Sequence, residues 1–140
     1  MPITALALSR DGRELAFVLY RGSSSLHTMP VTGGEVRELL RGETLFLALA
    51  RGGIEWTPDG RYLLVARQTP ESDNSRVREN ALWRVPIAGG DPQLLLSTEN
   101  PADFLSVHPD GRHIAFSTGS SYAMEVWVME NFLPPLKAAR

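Results

Sequence analysis

The chain is predicted to be all-β, one antiparallel sheet pattern used three times, on three observations. The tripeptide Asp-Gly-Arg occurs at Asp11–Arg13, Asp59–Arg61 and Asp110–Arg112, a spacing of roughly 50 residues that suits stacked repeats. An apolar run follows each copy in the same register: Leu15-Ala16-Phe17, Leu63-Leu64-Val65 and Ile114-Ala115-Phe116. Within these runs apolar residues are consecutive rather than strictly alternating, which implies sheets covered on both faces.

Each element can then be placed in order. Asp-Gly between two β-rich runs is a strong hairpin signal, so "IEWTP" and "RYLLVA" are expected to pair as an inner hairpin,. The expected turn is type I′, with positive φ at both central residues: Asp11-Gly12, Asp59-Gly60 and Asp110-Gly111,. "ALWRVPI" supplies a third strand, and Gly89–Gly90 turns the chain into a fourth, "PQLLL". "SLHTMPVTGG" and "EVWVMENFLP" align with that third-strand segment, making Leu26, Leu82 and Val126 equivalent. Four-stranded sheets stacked face to face by repetition are the blades of a β-propeller. The expected blades are residues 3–41, 53–97 and 102–131, with a tail at 132–140. The third is expected to be incomplete, because Pro134 and Pro135 fall where a fourth strand needs ladder donors,.

"WTPDGRYLLVA" and "VHPDGRHIAFS" resemble the Ser-Pro-Asp-Gly-Lys/Arg signature of the TolB-type, WD-like propeller repeat, and the resemblance covers residues 3–131. Copy one departs from it at Ser9-Arg10, which lacks the Pro, and copy three carries His108 where Ser is usual. The resemblance implies a propeller of the kind found in Tol-system proteins, in peptidase propeller domains and beside bacterial kinase domains. The ending "EVWVMENFLPPLKAAR" also resembles the C-terminus of such propellers.

Three blades do not close a ring, since propellers typically have 4–8. An open stack leaves an apolar face at each end. The expectation is that two chains meet head to tail around a twofold axis as a six-bladed homodimer. The competing expectation is a longer polypeptide that carries the remaining blades. A strand exchanged from the N-terminus is not expected, because copy one begins at its innermost strand.

Composition narrows the function classes. With 140 residues, 43% apolar and 21% charged, the chain fits one globular domain. A formal net charge of −2 gives no basic stripe for nucleic acid,. No signal peptide or membrane-spanning run is expected, so the chain is expected to be soluble. With no cysteine, thiolate metal sites and disulfides are excluded,.

Candidate site residues follow from the propeller reading. Thr4, Glu55, Thr57, Asp103 and Ser106 are the polar residues of the innermost strands and the candidates for lining the central channel. The insert "QTPESDNSRVREN", with Glu71, Asp73, Arg76, Arg78 and Glu79, is the candidate loop for a protein or peptide partner,. His27, His108 and His113 lack a ligand spacing such as His-Glu-x-x-His, so no metal is expected,. His27 aligns with Trp83 and Trp127 as a packing position between blades, and His108 and His113 are expected to hydrogen-bond around their own turn. "ARGGIEW" precedes a strand, whereas a phosphate loop opens a helix, so no nucleotide cofactor is expected,. No catalytic motif is present. The leading expectation is a non-catalytic binding and assembly module. The alternatives are a hydrolase or lyase working at the channel, and a sensory or scaffolding part of a larger kinase- or Tol-type protein.

Overall fold

The structure is a computed structural model, describing residues 3–42, 53–68, 80–120 and 123–133. It is all-β, in three antiparallel sheets. The first contains β1 (Ile3–Leu8), β2 (Glu14–Tyr20), β3 (Ser24–Pro30) and β4 (Arg37–Gly42), paired in chain order. The second repeats this with β5 (Ile54–Trp56), β6 (Tyr62–Gln68), β7 (Asn80–Pro86) and β8 (Gln93–Thr98). The third has β9 (Ala102–Val107), β10 (His113–Ser120) and β11 (Ala123–Glu130), and no fourth strand among the described residues.

The repeat is exact enough to reproduce irregularities. Phe17 pairs His27, Val65 pairs Trp83 and Phe116 pairs Trp127. The outermost strand slips register after Leu26 in sheet one and after Leu82 in sheet two, at equivalent residues.

The turns correct the expected type I′ geometry. In all three, only the glycine has positive φ, at +71° for Gly12, +69° for Gly60 and +66° for Gly111. The amides of Gly12, Gly60 and Gly111 donate to the carbonyls of Ser9, Thr57 and His108 at 2.9, 2.9 and 3.0 Å. The amides of Ser9, Thr57 and His108 in turn donate to Glu14, Tyr62 and His113 at 2.8, 3.0 and 2.9 Å. The loop therefore holds four residues and begins with a turn that keeps Asp at negative φ. In copies two and three Pro58 and Pro109 fix φ near −65° at the first central position, which suits type I; in copy one Arg10 stands there and the turn keeps the same backbone bonds.

Asp contributes through its side chain instead. Asp11, Asp59 and Asp110 each accept the amide of the Arg two residues on, at 3.0, 3.0 and 2.7 Å. Ser9 Oγ donates to Asp11 at 2.7 Å, and Thr57 Oγ1 donates to Asp59 at 2.6 Å. The same hydroxyls accept the amides of Glu14 and Tyr62, at 2.8 and 3.1 Å. With these bonds the turn is locked on both sides. Thr57→Ala is expected to cost about 1–2 kcal/mol, read as a lower urea midpoint at unchanged slope.

Two apolar layers join the sheets. Ala16, Val18 and Leu26 of sheet one pack against Ile54, Trp56, Leu63, Val65 and Val85 of sheet two. Leu64, Ala66 and Leu82, their counterparts one sheet later, pack against Ala102, Leu105, Val107, Ile114 and Phe116 of sheet three. Each sheet thus sends one face forward and one back. Side chains pin the layers: Trp56 Nε1 donates to the Ala7 carbonyl at 3.0 Å, and Arg37 reaches the Ile87 carbonyl at 2.7 Å.

Candidate functional site

Repeat equivalence makes the two end faces measurable. Ile54 and Trp56 are 4% and 3% exposed against sheet one, whereas their counterparts Leu6 and Leu8 are 58% and 55% exposed. Leu26 and Leu82 are both 0% exposed, whereas their counterpart Val126 is 79% exposed, flanked by exposed Met124 and Val128. One sequence pattern therefore meets a neighbouring sheet at the internal junctions and meets solvent at the ends. The backward face of sheet one and the forward face of sheet three are apolar surfaces of matching kind.

The innermost strands lie in the order β1, β5, β9. Glu55 is partly buried on β5, and burial pushes its carboxyl above the ordinary glutamate value, opposed by a backbone hydrogen bond at Trp56 and by the charge of Arg10. Arg10 also reaches from the first turn to the Val107 carbonyl of sheet three at 3.3 Å. Ser106 is exposed, while Asp103 is partly buried and its carbonyl accepts from Ser117 Oγ at 3.3 Å. Thr4 holds a buried hydroxyl without a hydrogen-bond partner. Thr57 is corrected: it is fully buried, and its hydroxyl serves the second turn rather than the channel. The physical reason is that β5 ends at Trp56, so the next residue already belongs to the turn.

The histidines separate by role. His27 is buried, stacks on Phe17 at 5.5 Å, and shares a 2.8 Å hydrogen bond between Nε2 and Ser25 Oγ. Desolvation lowers its pKa, the Glu38 charge opposing this. Trp127, the aligned residue in sheet three, is half exposed. His108 and His113 converge on one oxygen, Asp110 Oδ2, at 3.1 and 2.7 Å between it and the two Nδ1 atoms. The Arg112 amide, aided by both histidines, holds the Asp110 carboxyl well below the usual carboxylate range. This is the one group of three or more convergent His, Asp or Glu donors among the described residues. Asp11 and Asp59 take no part in it. The sequence carried a signal for it, since residues flanking a four-residue hairpin loop face each other. Glu71, Asp73, Arg76, Arg78 and Glu79 lie outside the described residues.

No protein-family model and no curated protein matches the chain. Solved structures do match. A putative TolB from Agrobacterium tumefaciens superposes with a TM-score of 0.71 at 19% identity, over 94% of this chain and 47% of that one. The β-propeller domain of the Trilobed protease from Pyrococcus furiosus gives 0.63 at 14% identity, over 92% and 38%. Puromycin hydrolase gives 0.65 at 25% identity, over 93% and 20%. The chain has the fold of a partial TolB-like β-propeller. It spans less than half the length of each of these proteins, which include both TolB and peptidase or hydrolase propellers.

Proposed function

We propose that the chain is a non-catalytic propeller module that serves as a rigid assembly and binding surface, and that a second copy completes it to a six-bladed ring. One observation carries the reading: positions buried at both internal junctions are exposed at both ends, in complementary senses. The forward face of sheet three presents Val126 where Leu26 and Leu82 meet a neighbour. The backward face of sheet one presents Leu6 and Leu8 where Ile54 and Trp56 meet one. Docking one on the other repeats in kind the packing the chain already makes twice, and a twofold axis makes both junctions at once. Large contiguous apolar faces on a monomer favour association.

Light scattering on a size-exclusion eluate is expected to give twice the 15.4 kDa of one chain. A stable single-chain particle would falsify the ring and favour the alternative cover, further blades of a longer polypeptide. The enzymatic alternative rests on Glu55, whose burial on β5 raises its carboxyl pKa against the opposing charge of Arg10, as a proton donor near the channel requires. A dimer would carry Glu71, Asp73, Arg76, Arg78 and Glu79, the candidates for a protein or peptide partner, twice.

A further inference from the structure

We propose that the third turn is a binding site for a zinc-class divalent metal, with His108, Asp110 and His113 as ligands and Glu130 as the outer partner of His113. The convergence is atomic. One donor atom from each of the three residues lies within 4.8 Å of the other two. The Nδ1 atoms of His108 and His113 stand 3.1 and 2.7 Å from Asp110 Oδ2. Tetrahedral zinc, with nitrogen and oxygen ligands at about 2.0–2.2 Å, spaces its donors at roughly 3.4 Å. Widening the 2.7 and 3.1 Å pairs to that spacing takes about 0.7 and 0.3 Å, on exposed or partly exposed side chains,.

His108 Nδ1 lies 3.2 Å from the Asp110 amide and 3.1 Å from Asp110 Oδ2, so coordination would exchange a contact with the turn backbone for an ion held at the carboxylate. The division of labour on Asp110 fits as well. Its Oδ1 accepts the amides of Arg112 and His113, at 2.7 and 3.3 Å, leaving Oδ2 to the cluster.

The repeat shows what was changed to make the site. The turn backbone matches that of copies one and two, where Ser9 and Thr57 lock the Asp by a hydroxyl bond. In copy three an imidazole replaces the hydroxyl, and a second imidazole replaces Glu14 or Tyr62 on the far side of the same hairpin. On the other edge of His113, Nε2 lies 3.5 Å from Glu130 Oε1 on β11. A carboxylate behind a coordinating imidazole fixes its tautomer and orientation. Two imidazoles and one carboxylate select zinc, cobalt, nickel or copper over magnesium and calcium.

The test is calorimetric titration of the full, tag-free chain with zinc, paralleled by cobalt and its visible absorption. One ion per chain is expected, with the intense absorption of a low-symmetry cobalt site. His108→Ser and His113→Tyr install the residues of copies one and two, so the turn keeps a side chain it already tolerates. Each is expected to weaken binding by more than the roughly tenfold loss expected for Glu130→Gln, an outer-partner change. His27→Ala, which removes the remaining histidine, should leave the titration unchanged. Binding that survives both turn variants, or no saturable binding by the intact chain, overturns the site. Circular dichroism confirms that each variant is folded.

Discussion

The Val126→Asp variant is expected to elute as a folded monomer under conditions where the parent chain elutes as a dimer. Val126 is 79% exposed, so a carboxylate there is hydrated and the isolated fold is indifferent to it. In the ring the same position is covered by a neighbouring sheet, as Leu26 and Leu82 are at the internal junctions. A charge trapped there without a partner costs several kcal/mol, and the twofold axis imposes it at both junctions. Leu8→Asp attacks the opposite face and is expected to act alike. Light scattering reads both variants. A dimer that persists in both would mean the association uses some other surface.

The second large effect is on stability. Leu82→Ala is expected to lower the unfolding free energy by about 2–5 kcal/mol, as deletions from close-packed cores do. Leu82 is 0% exposed and joins the layer between sheets two and three, beside Leu64 and Phe116. Against a total of about 5–15 kcal/mol for a typical domain, such a loss is large. It is best measured by urea denaturation in the monomeric Val126→Asp background, because dimer stability depends on concentration. Val126→Ala in the monomeric Leu8→Asp background gives the internal contrast. It deletes methyl groups at the equivalent position of the repeat, and as a monomer it should change stability by less than about 0.5 kcal/mol. A loss at Val126 similar to that at Leu82, in a proven monomer, would mean the forward face of sheet three is already covered.

Particular residues show why some features were legible and others not. Leu26, Leu82 and Val126 align in the sequence, and the strand pairings place them at one repeat position. Their burial does not align, because it depends on which sheet lies in front. The turn type was misread from Asp-Gly alone, although Pro58 and Pro109 already fixed the preceding φ. Thr57 looked like a polar strand residue facing a channel. Only the end of β5 at Trp56 shows that its hydroxyl belongs to the turn. His108, Asp110 and His113 have no recognised ligand spacing along the chain. They meet because the hairpin brings both ends of the loop to one carboxylate oxygen.

The amino-acid sequence by itself determined the strands, their repeat and the positions of the turns, since these depend on local propensity and on periodicity, which a linear pattern carries in full. The tertiary structure alone decided which apolar faces are covered and which donor atoms converge. Both depend on what a neighbouring sheet or strand places within a few ångströms, and that is a property of packing, not of order along the chain.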